Sequence, residues 1–364
     1  MKNTFGQSIT VTLFGESHGA AIGAVLDGLA PGLAVSEESI RAALAKRRPD
    51  GRLSTARVEE DPFSILSGAI NGKATGTPLC ILIPNGNTRS GDYAKTARLA
   101  RPGHADYTAE CKYHGYQDAR GGGHFSARLT AALVAAGAIV KDALKEKGIR
   151  IGIRVAEIGG IKDSPATAED IVAIGDTPFP VVDEKRGEAM KEAIRAAAAE
   201  GDSVGGILEG VVTGVPAGVG EPWFDSVESV LSHMLFSIPA VKGVEFGAGF
   251  GMAALRGSEA NDPFRKEEGG VVTATNNNGG INGGITNGMP ITFRLAVKPT
   301  PSIYKTQKTV SLDTGENEDI TIAGRHDPCV VHRAAAVAEA VAALAIADLL
   351  AGRYGTDYFC PTEK

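Results

Sequence analysis

Aromatic residues and cysteines are scarce in this sequence. Only 5% of its 364 residues are aromatic, which leaves little material for an aromatic-rich binding surface. The four cysteines are scattered, with neither a C-x-x-C pair nor metal-ligand spacing: Cys80, Cys111, Cys329 and Cys360. This distribution predicts a reducing compartment, no disulfide framework and no metal site.

Features of exported, membrane-spanning and nucleic-acid-binding proteins are also missing. The N-terminus lacks the apolar segment of a signal peptide. No apolar stretch is long and charge-free enough to span a bilayer, except for Ala-rich helices that carry charges at intervals. The formal net charge of −6 argues against general nucleic-acid binding. We therefore expect a cytoplasmic protein with no membrane partner and no nucleic-acid partner.

The sequence has neither a regular βαβ alternation nor a G-x-G-x-x-G motif that opens a helix, so a dinucleotide-binding fold is not indicated. It does have 47 glycines and a hydrophobic content of 43%, enough for a large core with many tight turns. The order of strand and helix patterns favours an α+β fold, with helices between or against mostly antiparallel sheets. No linker divides the chain, so residues 1–364 are interpreted as a single domain.

Hydrophobic periodicity predicts the main elements. Strands are predicted at 8–14, 79–83, 207–215 and 291–297. Helices are predicted at 36–48, 126–147, 183–200, 226–236 and 330–351. Ser36 is a suitable N-cap, and Gly148 is placed to end the second helix.

Basic residues concentrate in one short stretch of the chain. Against a single acid, Asp50, this stretch contains Arg41, Lys46, Arg47, Arg48, Arg52 and Arg57. On an acidic protein such a cluster favours a pocket for a small polyanion. The alternative is a solvated helix face followed by a loop.

Two motifs present a histidine in a turn. Gly15-Glu16-Ser17-His18-Gly19 follows the first strand, and its glycines would let a ligand approach His18, a candidate acid or base. In Arg101-Pro102-Gly103-His104-Ala105-Asp106, the arginine and the aspartate can set the charge state of His104. The alternatives are a turn with a hydrogen-bonded histidine and an exposed turn histidine, respectively.

Two glycine-rich stretches are candidate ligand loops. Residues 120–128 place Gly121, Gly122 and Gly123 between arginines and directly before a helix, which favours an anion cradle over a plain flexible turn. Residues 276–288 are rich in Asn and Gly, and the strand that follows favours an ordered ligand loop over a low-complexity linker.

The run Gly324-Arg325-His326-Asp327-Pro328-Cys329 combines a cation, an imidazole, a carboxylate and a thiol. Asp327 before Pro328 predicts an N-cap followed by proline at the first helical position. A helix start of this kind suits an anion or cofactor site, and a plain helix start is the alternative.

These motifs resemble those of chorismate synthase, in the family's order and across nearly the whole chain. The matching residues are 15–19, 101–106, 121–123, 126–128, 298–300 and 325–329. The resemblance implies an FMN-dependent lyase that converts 5-enolpyruvylshikimate 3-phosphate to chorismate and phosphate by anti-1,4-elimination. This is the last common step of aromatic amino-acid biosynthesis in the shikimate pathway. The resemblance further implies a requirement for reduced FMN without net redox change, a β-α-β sandwich with central helices between two mostly antiparallel sheets, and a homotetramer.

The resemblance also implies residue roles. His104 is expected near the N1 edge of reduced flavin, His18 as proton donor to the departing phosphate, and Asp327 in proton transfer at flavin N5. The residues expected to bind FMN are His124, Phe125, Ser126, Ala240, Gly283, Lys298, Pro299, Thr300, Pro301, Ser302 and Arg325. The residues expected to bind the substrate's anionic groups, or NADP, are Arg47, Arg48, Arg52 and Arg128.

One motif departs from the family pattern. The family's Arg-Ser-Ser before Ala-Arg-Glu-Thr is replaced by His124-Phe125-Ser126 before Ala127-Arg128-Leu129-Thr130. His124 can stand in for the arginine only when protonated, so activity would then fall as the pH rises.

A separate nicotinamide motif and a spare domain are lacking, so we expect an external flavin reductant, with NADPH as an indirect reductant. Two other functions fit parts of the sequence. One is a flavoprotein oxidoreductase that transfers hydride in the same FMN pocket, which unaided NADPH consumption would reveal. The other is a non-catalytic phosphate-ligand binding protein, against which the three histidine motifs argue.

Overall fold

The computed structural model describes residues 2–49, 51, 53–54, 60–86, 98–322, 324 and 326–361. Its strands are β1 (Thr4–Phe5), β2 (Thr10–Gly15), β3 (Ala21–Asp27), β4 (Ser64–Ser67), β5 (Ala69–Ile70), β6 (Lys73–Ala74), β7 (Leu79–Pro84), β8 (Arg150–Ile158), β9 (Ile161–Lys162), β10 (Gly206–Thr213), β11 (Val241–Phe246), β12 (Phe264–Glu267), β13 (Gly270–Thr273), β14 (Ile281–Asn282), β15 (Ile285–Thr286), β16 (Ile291–Val297), β17 (Gln307–Val310) and β18 (Asn317–Ile320). Its α-helices are α1 (Glu37–Arg47), α2 (Asp106–Tyr113), α3 (Thr130–Glu146), α4 (Ala168–Ile174), α5 (Glu184–Ala199), α6 (Val227–Leu235), α7 (Gly257–Ala260) and α8 (Val331–Tyr354).

Two five-stranded antiparallel sheets form the framework. The first has the order β1-β2-β3-β7-β4 and the second the order β11-β16-β10-β8-β9. In the first sheet Gly15 pairs with Ile22, and Ala21 pairs with Pro84. This register brings the turn between β2 and β3 next to the end of β7.

Helices α3 and α8 form the centre of the core. Helix α3 contacts β2, β3 and β7 of the first sheet and β8 of the second, whereas α8 contacts β8 and β10. The two helices approach closely because small residues face each other: a Cβ atom at Gly137 would lie 2.5 Å from the Cβ of Ala340. Buried apolar side chains from both sheets and from these helices form one continuous cluster.

Helix α8 is apolar along most of its length. By length and composition it could cross a membrane, and it is one of the Ala-rich helices excepted above, but 89% of its most apolar window is buried inside the structure. Near its end the Asp348 carboxylate accepts hydrogen bonds from the amides of Gln7, Ser8 and Ile9, at 2.7–3.1 Å. This carboxylate fixes the chain just before β2 to the last turns of α8.

The predicted elements are present, and the α+β class is confirmed, but two helix starts were misplaced. The second predicted helix begins at Thr130, after a 3-10 turn at Ala127–Leu129 that Ser126 caps. The last helix begins at Val331, and Val330 rather than Asp327 is its N-cap, so the prediction of an Asp327 cap with Pro328 at the first helical position was wrong. Helix α2 and strands β3 and β8 were not predicted from the sequence.

Candidate active site

Two histidines lie against consecutive glycines of one loop. Gly121, Gly122 and Gly123 all have positive φ, at 58°, 83° and 50°. A Cβ atom on Gly121 would lie 2.4 Å from the His18 ring, and one on Gly122 would lie 3.1 Å from Cε1 of His104. The positive φ values and the short distances to the imidazoles both disfavour a side chain at these positions. Because glycine has none, the two imidazoles can approach the same stretch of backbone.

The glycine loop is hydrogen-bonded to the turn that carries His18. The amide of Ser17 donates to the carbonyl of Gly123 at 3.1 Å, and the Ser17 hydroxyl donates to the carbonyl of Gly121 at 2.9 Å. His124 donates from Nδ1 to the carbonyl of Gly15 at 2.8 Å, since a carbonyl only accepts. His124, at the position where the family pattern has arginine, thus links the end of the glycine loop to the end of β2.

An ion-pair cluster holds His104 at the start of α2. Arg101 donates from Nε and Nη2 to the two Asp106 oxygens, both at 2.7 Å, and His104 Nδ1 lies 3.1 Å from Asp106 Oδ1. Arg101 Nη2 also lies 3.2 Å from His104 Nδ1, but an Nδ1 that accepted from Arg101 would direct its lone pair at the neighbouring Asp106 carboxylate, which can only accept. Nδ1–H therefore donates to the carboxylate, which leaves Nε2 for other chemistry.

Asp106 is ionised in this setting. Burial by itself would raise the pKa of this carboxyl, but hydrogen bonds from Arg101 and His104, together with the Arg101 charge, outweigh burial and hold the pKa well below its usual range. Arg101 and Asp106 thus both lie in contact with His104.

The segment after β16 lies against the His104 turn. Lys298 donates from Nζ to the carbonyl of Gly103 at 2.5 Å, and a Cβ atom on Gly103 would lie 3.0 Å from the Pro301 Cβ. Burial, and then the charge of Lys242, lower the pKa of Lys298. The hydroxyl of Thr300 in this segment is buried and has no hydrogen-bond partner among the residues that the structure describes.

A cleft of about 350 Å³, partly open to solvent, adjoins these groups. His104, Gly122 and Phe125 line it, together with Glu110 and Gln117. Within the described residues, the buried Oε1 atom of Gln117 has no hydrogen-bond partner. The cleft is therefore lined by an imidazole, by glycine backbone and by a residue with an unsatisfied side-chain oxygen.

The remaining residues predicted for cofactor binding are spread more widely. The carbonyl of Ala240, a residue with φ of 75°, accepts from the amide of Lys298 at 2.9 Å, and Ser302 is buried. Gly283 lies in the turn between β14 and β15, where a Cβ atom would meet nothing within 4 Å. The Asn-rich loop is ordered because Asp262 accepts hydrogen bonds from the amides of Asn277 and Asn278. Among the described contacts, none joins Gly283 to the two histidines.

Arg128 is deeply engaged with protein groups. Its guanidinium pairs with the buried carboxylate of Asp61 and donates to Asn85 Oδ1 at 3.1 Å and to the carbonyl of Pro84 at 3.3 Å. Arg48 lies on the other side, with its Nε 3.9 Å from Asp61 Oδ2. Asp61 is thus the carboxylate between two of the predicted anion-binding arginines.

Arg333 joins two predicted site regions. It pairs with the carboxylate of Asp327 through Nη1 and donates from Nε to the carbonyl of Arg47 at 2.8 Å. Asp327 is therefore held beside the end of α1. Arg52 and Arg325, also predicted for the site, lie outside the described residues.

The sequence analysis did not identify Asn85, Asp61 or Arg333. Asn85 follows a predicted strand, and an amide at the end of a buried strand is a usable signal. Asp61 gave no local signal because its partner Arg128 lies 67 residues away, and the contact of Arg333 with Arg47 spans 286 residues. Within the described part of the chain, no group of three or more His, Cys, Asp or Glu side chains is arranged to hold a metal ion.

Comparison with known proteins addresses the family directly. The family model for chorismate synthase matches residues 9–351. The chain belongs to the chorismate synthase family. It is 49% identical over 348 residues to the chorismate synthase of Methanosarcina acetivorans, covering 95% of both chains. It is 47% identical over 348 residues to that of Thermococcus gammatolerans, covering 96% of this chain and 97% of the relative.

A solved structure agrees with this assignment. A crystal structure of a chorismate synthase matches the fold with a TM-score of 0.76 and 30% identity, covering 96% of this chain and 94% of that chain. Membership of the chorismate synthase family makes this chain an enzyme of chorismate formation, in aromatic biosynthesis through the shikimate pathway.

Proposed function

We propose that this chain is an FMN-dependent lyase that converts 5-enolpyruvylshikimate 3-phosphate to chorismate and phosphate by anti-1,4-elimination. The observation that carries the proposal is the placement of His18 and His104 against consecutive glycines, with His104 lining a cleft and Lys298 bound to the turn that carries His104. Proton-transfer groups converge there with a cation, as the loss of a phosphate requires.

The residues beside the cleft fit a flavin mononucleotide. The glycine loop is a concave backbone surface that a Cβ atom would fill. In the described part of the chain, the Thr300 hydroxyl and the side-chain oxygen of Gln117 are buried without partners. Lys298 would hold the phosphate or the pyrimidine edge, and residues 124–126 and 299–302, with Ala240, Gly283 and Arg325, complete the proposed set. Reduced FMN, when bound, supplies the electron density and the hydrogen-accepting N5 on which the elimination depends.

The protein's own groups would then act as follows. His18 donates a proton to the departing phosphate, which is a poor leaving group without help. His104, whose Nδ1 is tied to Asp106, presents Nε2 as a fixed donor or acceptor. Asp327, held by Arg333, takes part in proton transfer. Arg47, Arg48, Arg52 and Arg128 supply positive potential for the substrate's phosphate and carboxylates; losing one such contact would cost on the order of 10²-fold in rate.

The proposal extends to assembly and supply of reduced flavin. The exposed side chains of Trp223, Phe224 and Phe250 are of the kind that a homotetramer would cover. The contacts of α3 with strands of both sheets support a β-α-β sandwich. We propose cytoplasmic location, no membrane or nucleic-acid partner, and an external reductant, with NADPH acting indirectly.

An anaerobic assay tests the proposal. Purified protein with photoreduced FMN and 5-enolpyruvylshikimate 3-phosphate should release phosphate and form chorismate, and oxidised FMN should support neither. Absence of phosphate release with photoreduced FMN would contradict the lyase. NADPH consumption by the protein alone would contradict the external reductant and favour an oxidoreductase.

A further inference from the structure

Asn85 follows β7 directly and lies beside the turn that joins β2 to β3. Its side-chain Nδ2 donates to the carbonyl of Glu16 at 2.9 Å and to the carbonyl of Gly19 at 3.0 Å. Its own amide donates to the carbonyl of Ala20 at 3.1 Å. These carbonyls bracket His18, so one side chain bridges both ends of the turn that carries the imidazole.

The orientation of the Asn85 amide is determined by its other partner. Arg128 Nε lies 3.1 Å from Asn85 Oδ1. Because arginine can only donate, the oxygen of the amide must face Arg128 and the NH₂ group must face the turn. Arg128 is in turn fixed by the buried carboxylate of Asp61. A charged, buried pair thus sets the direction in which Asn85 donates.

We propose that Asn85 is a positioning residue that fixes the His18 turn against the glycine loop. The turn is held on one side by Ser17, which binds the glycine loop, and by His124, which donates to the carbonyl of Gly15. Asn85 holds it on the other side. His18 lies against Gly121, so we expect its imidazole to keep one position only while the hydrogen bonds on both sides of the turn are intact. The proposal rests on the proposed function only for the catalytic role of His18.

Asn85→Asp isolates this role. The carboxylate has nearly the same shape and can still accept from Arg128, but it has no N–H to donate to the two carbonyls. The turn would lose both hydrogen bonds while the Arg128–Asp61 pair stays satisfied. We expect kcat to fall on the order of 10²-fold, as a displaced reacting group typically costs. The KM for the substrate and the affinity for oxidised FMN should change less than threefold.

Asp163→Asn is the matched control. Asp163 is also a buried polar side chain that contacts an arginine, Arg154 at 3.1 Å, and two backbone amides at 2.8 and 3.0 Å. It lies at the edge of the second sheet, outside the proposed machinery, so its variant should lose stability and keep kcat. Asn85→Ala provides a second variant if Asn85→Asp does not fold.

Two readouts distinguish positioning from general stability. The first is a double-mutant cycle: Asn85→Asp should cost little further kcat in a His18→Ala background. The second does not depend on activity. Protein labelled with ¹³C at histidine Cε1 should show a shifted or broadened His18 resonance in Asn85→Asp, with the other six of the seven histidines unchanged.

Each outcome bears on one proposal. Wild-type kcat with an unchanged His18 resonance in Asn85→Asp would overturn the inference, and so would a full additional loss of kcat in the His18→Ala background. Full turnover by His18→Ala would instead remove the proposed role of His18, and the resonance alone would then decide whether Asn85 positions it.

Discussion

The imidazole of His18 lies so close to Gly121 that a Cβ atom at this glycine would be 2.4 Å from both Cδ2 and Nε2 of the ring. No side chain can occupy this position without displacing the histidine. The glycine is therefore part of the geometry that sets where the imidazole points.

Gly121→Ala should impair turnover more than it impairs folding. We expect kcat to fall on the order of 10²-fold because the His18 ring must move, and the free energy of unfolding to fall by about 1–3 kcal/mol from the strained φ. Gly160→Ala is the control, since Gly160 also has positive φ, at 82°, but a Cβ atom there meets nothing within 4 Å. Equal kcat losses in the two variants, measured at saturating substrate, would contradict the expectation.

Asp106→Asn should change the acid dependence of stability. The pKa of Asp106 is lowered in the folded protein, so the carboxylate stabilises the fold above the unfolded-state pKa of about 3.9, and this contribution is lost as the pH falls below that value. At pH 7 the variant should be less stable by about 1–3 kcal/mol, because hydrogen bonds to a charged group are lost. Urea unfolding should show this gap shrinking below about pH 4. A gap that stays constant between pH 5 and pH 3 would argue against an ionised, hydrogen-bonded Asp106.

Lys298 should make FMN binding weaken at high pH. Burial and the neighbouring Lys242 lower the pKa of Lys298, so its charge is lost at a lower pH than that of an ordinary lysine, about 10.4. Fluorescence titration of oxidised FMN should show weaker binding at pH 9.5 than at pH 7.5. Lys298→Arg stays protonated throughout and should remove this dependence, whereas Lys242→Met should shift it to higher pH. The same pH dependence in wild type and Lys298→Arg would exclude Lys298 as its source.

Arg333→Met should lower both stability and turnover. The Arg333 and Asp327 side chains are only 16% and 12% exposed, so the variant leaves a mostly buried carboxylate without this partner. We expect a loss of about 2–4 kcal/mol in the free energy of unfolding, with a fall in kcat if Asp327 acts in proton transfer. Arg195→Met removes an exposed pair with Glu192 and should cost less than about 0.5 kcal/mol. Denaturant unfolding of both variants under one condition measures the difference.

Much of the fold was predictable because its long elements have clear periodicity. Helices α1, α3, α5, α6 and α8, and strands β2, β7, β10 and β16, follow regular apolar patterns. The N-cap at Ser36 was correct, and its side chain accepts a hydrogen bond from the amide of Ser39. Asp327-Pro328 was misleading, because Asp327 is paired with Arg333 and the helix begins beyond it.

The candidate site was less predictable than the fold. The motifs identified His18, His104 and Lys298, but their convergence depends on contacts between distant segments. The role of Asn85 required the register between β3 and β7, which sets where the strand end meets the turn. The role of Asp61 is likewise apparent only from its ion pair with Arg128, 67 residues further along the chain.

Helix α8 connects two segments of the candidate site and fixes the spacing between its own attachments to them. Its first turn carries Arg333 and so holds Asp327, while Asp348 near its other end anchors the chain that leads into β2 and the His18 turn. Arg333 and Asp348 are 15 residues apart in this helix, which gives a rigid separation of about 23 Å between the two attachments. Inserting one residue in its middle would rotate one attachment by about 100° relative to the other. The length of this one helix therefore contributes to the spacing between the segment that carries Asp327 and the strand that leads to His18.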